Sequence, residues 1–417
     1  MPAKKPPAKK IIYFDHNATT LICPEAEDTY TKWLRCYNPS SSSKIAHSAA
    51  VMIEKVREAI LKHCGTDSKT YTVVFMSGAT EANCFILRSC VESWRKLKKA
   101  KPHIIISSVE HHSIIECAHQ IEDAGYADIT MIAPNMFGCI LPASVEKAIR
   151  PNTCLISIMY ANNETGAINN IAQIGEIAHA RKIPMHTDAV QIFGKYPIDV
   201  EKNNIDAMSV SCHKFYGPKG IGFLILKNDL IQGYDLKGQI SGSQEHGLRG
   251  GTENPPAIAS CLAALRYNFK NRKAKNQKLL KMREYLLDAL AEGPFKFGIY
   301  SNYLNPKFIS ANPELVLLGP PRDKISYYLP NTILISVAAK DFCNVELKKN
   351  LDRHGIVVSI SSACLTSSSK ASHVLTAIGA PSIIKQGVIR ISLGDTNTQA
   401  EIDEFVPRFL SAIEQQI

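Results

Sequence analysis

Lys214 stands directly after the apolar run "AMSVSC", inside the stretch "SVSCHKFYGPKGIG" (209–222). Burying an ammonium group is costly unless the charge is neutralised or used. A partly desolvated lysine has a lowered pKa and can form a Schiff base with a carbonyl compound. Ser211 and His213 flank it with donors suited to a phosphate, and Gly217, Gly220 and Gly222 suit a tight turn before another strand. Asp188, in "HTDAVQ" (186–191), also follows an apolar run. A carboxylate there can cap a helix, or it can face a ring nitrogen and keep it protonated; the residues alone leave both readings open. In "MSGATEAN" (76–83), Ser77, Gly78, Ala79 and Thr80 open a helix after a strand. Free backbone N–H groups and the helix dipole make such a corner an anion site, with a plain helix cap as the alternative.

Together these pieces supply a phosphate cradle, an acid partner for a ring nitrogen and an imine-forming lysine. That is the set of parts pyridoxal 5'-phosphate needs, since the cofactor is the electron sink and the protein supplies attachment, orientation and electrostatics.

Positioning them requires strand ends on one sheet. Strand-like runs alternate with helix-like runs: "YTVVFM" (71–76), "HIIISS" (103–108), "CLISIMY" (154–160), "IPMHTDA" (183–189), "AMSVSC" (207–212) and "GIGFLIL" (220–226). Strands spaced by helices of ten or more residues predict a mostly parallel α/β sheet, and ligands of such sheets bind at the carboxyl ends of the strands. A long amphipathic segment follows, over roughly 256–292, then "NTILISVA" and "GIVVSIS" around the polar helix "DFCNVELKKNLDRHG". The Pro/Asn/Tyr-rich stretch 293–330 reads as a long loop insertion. The expected division is a disordered basic tail (1–10), a large domain (11–270) whose first residues can pack on the small domain, and a smaller α+β domain (271–417).

The chain has 417 residues, 45% hydrophobic and 21% charged, which is ordinary globular composition. No run of eighteen apolar residues suggests a membrane span. The net charge of +10 draws on Lys4, Lys5, Lys9 and Lys10 of the tail and on "RKLKKAK" (95–101). No nucleic-acid motif accompanies them, so solvated basic surface is the expectation. The N-terminus lacks the apolar stretch of a secretory signal. Twelve scattered cysteines with no CxxC pair predict buried thiols in a reducing, cytoplasmic compartment.

The chain resembles the cysteine desulfurases, pyridoxal-phosphate enzymes of the class V aminotransferase fold. The resemblance rests on "YFDHNATT" (13–20), "YNPSS" (37–41), "SGATEAN" (77–83), "VEHHSI" (109–114), "ANNETG" (161–166), "HTDAVQ" (186–191) and "SCHKFYGPKGIG" (211–222). It continues through "SQEHGLRGGTEN" (243–254), "SSAC" (361–364), "SHVL" (372–375) and "IRISLG" (389–394), in the family's order. The spacing from Cys364 to "SHVL" resembles the longer-loop desulfurases.

The resemblance implies fold type I of the PLP-dependent transferases and the following roles. Lys214 would hold the cofactor, and His111 would stack over its ring and help in proton transfer; from the residues alone His111 reads as a capping histidine. Asp188 would pair with the ring nitrogen and Gln191 with the phenolic oxygen. Asn163 would lie near that oxygen and the substrate carboxylate. Ala79, Thr80, Ser211 and His213 would hold the phosphate, and Thr252 would reach the phosphate of a partner subunit in a homodimer. Arg390 would bind the α-carboxylate of L-cysteine, which its fork geometry suits. Cys364 would take the sulfur as a persulfide and hand it to an acceptor protein, for iron–sulfur cluster assembly or thiolation; the thiolate is the nucleophile in such chemistry. No metal is implied. Three departures stand out: "SKIAHSAA" after "NPSS", Asp395 where the family usually carries Arg, and "ISSAC" (360–364) where Ser-Gly-Ser-Ala-Cys is commoner, so a flexible glycine is missing. They keep two alternatives open, a selenocysteine lyase or related pyridoxal enzyme, and a catalytically silent homologue serving as a binding partner.

Overall fold

The computed structural model describes residues 11–300, 313–360 and 372–417. Fourteen described strands carry the architecture. They are β1 (Ile12–Tyr13), β2 (Tyr71–Met76), β3 (His103–Ser107), β4 (Asp128–Ile132), β5 (Thr153–Ser157), β6 (Met185–Asp188) and β7 (Ala207–Ser211). The rest are β8 (Gly222–Lys227), β9 (Lys296–Ile299), β10 (Glu314–Leu318), β11 (Thr332–Ala338), β12 (Ile356–Val357), β13 (Ser359–Ile360) and β14 (Val388–Ser392).

Two compact units are built from them. One runs over Thr19–Asn163 and Ala167–Lys273. Its seven-stranded sheet has the order β2-β8-β7-β6-β5-β3-β4. The strands from β4 across to β7 pair in parallel, and β8 runs antiparallel to both β7 and β2. The mostly parallel sheet read from the alternating runs is the observed one. Apart from the edge strand β4, these strands are nearly continuous buried runs, as expected of a sheet covered on both faces. Val74, Ile106, Leu155 and Leu224 pack with Phe85, Ile86 and Leu87 of the helix Ala79–Lys98.

The other unit comprises, among the described residues, 11–18, Glu164–Gly166 and those of Ala274–Ile417. Its five-stranded sheet has the order β13-β14-β11-β10-β9, antiparallel except for the parallel β10–β9 pair. Separately, β1 pairs in parallel with β12. Leu286, Leu290, Phe405 and Phe409 from the helices Arg272–Ala291 and Gln399–Glu414 pack with Ile333, Ile335 and Ile389 of the sheet.

The amphipathic segment at 256–292 is helical and consists of two helices, Pro255–Phe269 and Arg272–Ala291. Asn271, at φ 59°, breaks them, and asparagine tolerates that left-handed conformation better than most residues. The 293–330 stretch is not a plain loop: it holds β9 and β10, and all five residues of "ELVLL" (314–318) are buried. Its Pro, Asn and Tyr content hid a short core strand.

Candidate active site

The corner between β2 and the helix Ala79–Lys98 begins at Gly78, the N-cap, which carries no side-chain cap of its own. A Cβ at Gly78 would lie 3.6 Å from Ser211 Oγ, at the end of β7. A Cβ at Gly222 would come within 2.8 Å of Gly78 Cα, so glycine is required there for β8 to pass the corner. The start of a twenty-residue helix and a buried serine hydroxyl thus share one spot, with Thr80 exposed beside it. That combination suits an anion.

One step further along the chain, residues Cys212–Lys214 form a single 3-10 turn that ends β7 on the half-buried Lys214. The segment "ATT" holds this turn. Thr20 N–H and Thr20 Oγ1 both donate to the His213 carbonyl, at 2.9 and 3.0 Å, and Tyr216 N–H donates to Thr20 Oγ1 at 2.7 Å. His213 Nδ1 meets Thr19 Oγ1 at 3.1 Å. Burial, with the charges of Lys214 and Lys219, holds His213 down to about 4, so its ring is neutral at physiological pH. A neutral imidazole still donates through one ring nitrogen.

Asp188 ends β6 and is 4% exposed. Its Oδ1 accepts from Val190 N–H at 3.0 Å, so it does cap the following turn. Its Oδ2 accepts from Asn83 Nδ2 at 2.8 Å. Gln191 is also buried, and its carbonyl accepts from Lys195 Nζ at 2.7 Å. Burial and then the charge of Lys214 lower Lys195 to about 7. His111 is exposed and is the N-cap of the helix His112–Asp123, its Nδ1 accepting from Ser113 N–H at 3.2 Å. The capping reading of His111 is therefore correct as local structure. Asn163 is half-buried and opens the turn closed by the Ala161–Ile168 bridge. Its neighbour Asn162 donates from Nδ2 to the Val109 carbonyl at 3.0 Å, tying that turn to the segment that leads into His111.

Between them lies Glu110, 1% exposed, accepting on Oε1 from Ser107 Oγ and Met159 N–H at 2.5 and 2.8 Å. Burial pushes its carboxyl up to about 8, with Asp188 adding to the rise. A raised acid keeps its proton in the native state, so its contribution to stability is present below the usual carboxylate range and is lost as pH rises through 8. Glu110→Gln is expected to abolish that decline, which amounts to something on the order of 3 kcal/mol between pH 5 and 8. Urea midpoints across that range check it; parallel wild-type and variant profiles would refute the neutral-acid assignment. Buried His103 and His186 and half-buried His213, lowered to about 4, 3 and 4, give the opposite limb, with stability lost as pH falls below the usual histidine range.

Thr252 is exposed and lines a cleft of about 220 Å³ together with Ser77, Gly220, Arg249 and Gly251. Its loop is anchored by Glu245, whose carboxylate takes both Arg57 terminal nitrogens at 2.8 Å and the Phe75 N–H at 2.7 Å. Arg57 and Glu245 are 7% and 4% exposed. Removing one partner of such a pair leaves an uncompensated buried charge. The sequence reading missed this anchor, as it missed Thr20, Asn83, Ser113 and Lys195; the partners of Glu245, Thr20 and Asn83 are remote in sequence, whereas Ser113 and Lys195 bond to near neighbours without belonging to a recognisable motif.

In the other unit, Arg390 lies on β14, 8% exposed, and its Nη2 donates to Asp15 Oδ1 and Ser359 Oγ at 2.8 and 3.0 Å. Asp395 is explained: its carboxylate pairs with Lys275 at 3.2 Å and its carbonyl accepts from Lys278 Nζ at 2.6 Å, so the charge reversal is matched locally. Ser372 caps the helix His373–Ala377 and donates to Glu164 Oε2 at 2.8 Å. Cys364 lies outside the described residues. Among the described residues no cluster of metal-ligating side chains occurs, and no helix is long and apolar enough to cross a membrane.

The aminotransferase class-V family model matches residues 12–312. The cysteine desulfurase IscS of Dictyoglomus turgidum is 34% identical over 402 residues, covering 95% of this chain and 92% of that protein. The cysteine desulfurase IscS of Methanosarcina thermophila is 34% identical over 409 residues, covering 97% and 93%. Among solved structures, a NifS-like protein from Rickettsia africae aligns with a TM-score of 0.80 at 29% identity, over 97% of this chain and all of that one. A structure of SspA in complex with cysteine aligns with a TM-score of 0.71 at 31% identity, over 93% of this chain and 100% of that one. With its motifs, its sheet order and these relatives in agreement, the chain belongs to the class V aminotransferase family and, within it, to the cysteine desulfurases.

Proposed function

We propose that this enzyme converts L-cysteine to L-alanine with pyridoxal 5'-phosphate and leaves the sulfur as a persulfide on Cys364. The observation that carries the reading is the set of four features that follow the carboxyl ends of β2, β7, β6 and β3 of one sheet. They are the uncapped helix start beside Ser211, the half-buried Lys214, the buried Asp188 and the capping His111. These residues fit the cofactor: the corner suits its phosphate, and a carboxylate held on both oxygens suits a protonated ring nitrogen. When bound, the cofactor supplies an electron sink for the carbon attached to its imine.

The chain's own residues do the rest. Lys214 attaches the cofactor covalently and exchanges protons at Nζ. Ala79, Thr80, Ser211 and neutral His213 bind the phosphate, and Thr252 reaches the phosphate of a partner subunit in a homodimer. Asp188 holds a proton on the ring nitrogen. Gln191 and Asn163 donate to the phenolic oxygen. Arg390, held by Asp15 and Ser359, takes the substrate carboxylate. The Cys364 thiolate attacks the substrate sulfur, forming an S–S bond as the C–S bond breaks; the C–S pair stays on the β-carbon, which takes a proton to become the methyl group of alanine. The persulfide then passes to an acceptor protein, as in iron–sulfur cluster assembly. The eleven free cysteines among the described residues support a reducing, cytoplasmic setting.

The test is to incubate purified protein with cysteine, measure alanine and map added sulfur by peptide mass. Stoichiometric alanine with sulfur on the Cys364 peptide is expected. Alanine only from selenocysteine, or none at all, overturns the reading.

Asp188→Asn is expected to keep cofactor binding and lose ~10²–10³ in rate, since a neutral amide cannot hold the ring nitrogen protonated. Cofactor content and steady-state alanine release check this. An unimpaired rate would leave Asp188 with only its structural bonds to Val190 N–H and Asn83 Nδ2.

A further inference from the structure

Asn83 is fully buried, and both hydrogen bonds it makes leave from Nδ2: one to Asp188 Oδ2 at 2.8 Å, one to Ser113 Oγ at 2.9 Å. Its Oδ1 is buried with no hydrogen-bond partner among the described residues. A buried acceptor left unpaired is costly, so the site keeps this asparagine for its two donors. The carboxylate of Asp188 fixes which way the amide faces, because turning it over would set oxygen against oxygen. Ser113 Oγ, accepting from Asn83, lies 2.8 Å from His111 Nδ1. The Ser113 backbone N–H meets the same nitrogen at 3.2 Å. A backbone N–H can only donate, so Nδ1 is an acceptor and the neutral ring carries its proton on Nε2.

We propose that Asn83 and Ser113 are positioning residues that couple Asp188 to His111: the ionised carboxylate orients Asn83, Asn83 orients the Ser113 hydroxyl, and the hydroxyl sets the Nε2–H tautomer of His111. The inference rests on the roles assigned above to Asp188 and His111. Its physical basis is polarity. The two Asn83 donors diverge, one to the Asp188 carboxylate, which can only accept, and one to Ser113 Oγ, which leaves the serine proton for His111 Nδ1. Proton exchange by His111 then takes place at Nε2, with Nδ1 held by two donors from one residue.

The experiment reads the imidazole directly. Full-length protein labelled with ¹⁵N-histidine is studied with and without pyridoxal 5'-phosphate, His111 being assigned by difference against His111→Gln. Wild type is expected to show an unprotonated Nδ1 and a protonated Nε2 at neutral pH. Ser113→Ala and Asn83→Leu are each expected to lower the tautomer ratio by roughly five- to tenfold, the weight of one hydrogen bond. Asp188→Asn serves where Asn83→Leu does not fold: a carboxamide at 188 lets Asn83 turn over, the serine hydroxyl turns towards it, and the ratio falls likewise. A wild-type ring protonated on Nδ1 overturns the proposal, as does a ratio that moves only in Ser113→Ala. These signals are read whether or not the protein releases alanine, so failure here and failure of the desulfurase reading are told apart.

Discussion

Lys214→Ala is expected to reduce alanine release to background and to abolish the cofactor adduct that borohydride reduces onto the protein. The amine sits on the single turn after β7, half-buried, with its charge felt by both His213 and Lys195. Lys195 is the informative control. It is also lowered, to about 7, by burial and by Lys214, so it is chemically able to form an imine. Its Nζ is engaged by the Gln191 carbonyl at 2.7 Å, which holds it to a structural task. Reduction with labelled borohydride followed by peptide mapping decides between them. Label on the Lys214 peptide that vanishes in Lys214→Ala is the expected result, with turnover down by at least about 10⁴, since covalent attachment and proton exchange go together. Label that persists, on Lys195 or Lys219, would assign the attachment elsewhere.

Cys364→Ser is expected to keep cofactor binding and substrate imine formation, seen as an unchanged absorbance response to cysteine, while losing persulfide and alanine. A serine hydroxyl is a far weaker nucleophile and cannot accept sulfur. The other cysteines offer poor substitutes. Burial raises Cys64 and Cys154 to about 12 and Cys139 to about 11, and Cys90 and Cys212 also rise well above their usual value. Cys84 is lowered to about 7 by its pairing with Cys117. Added sulfur on the Cys84 peptide that survives in Cys364→Ser would move the acceptor role there.

Much of the fold was legible because its strands are continuous apolar runs. "YTVVFM" became β2 residue for residue, and "AMSVSC" and "GIGFLIL" became β7 and β8 within two residues. Lys214 and Asp188 were readable because a charged residue at the end of such a run is conspicuous. The strand β4, "DITMI", was passed over: four of its five residues are half-buried or exposed, as befits a sheet edge, and its apolar pattern is weak. The supports were illegible for another reason. Asn83 lies 105 positions from Asp188 and Thr20 lies 193 from His213, so no local pattern records either bond. Asp395 looked like a disruption only because its partner, Lys275, is equally remote.

The division of the chain into units has a consequence for synthesis. The unit over 19–163 and 167–273 is complete, in sequence, before the last third of the chain exists. The other unit needs both ends: β1 pairs with β12, and Asp15 meets Arg390 across 375 positions. At ~5–20 residues per second of translation, Asp15 and β1 wait roughly 20–75 s for their partners. During that interval the first unit is free to fold while the amino-terminal segment stays unpaired, with Ile12 and Phe14 as hydrophobic anchors awaiting their core. Shortening the carboxyl end, even by β14 and the last helix, therefore strands the amino terminus as well, and a stalled ribosome exposes a segment open to chaperones throughout the delay.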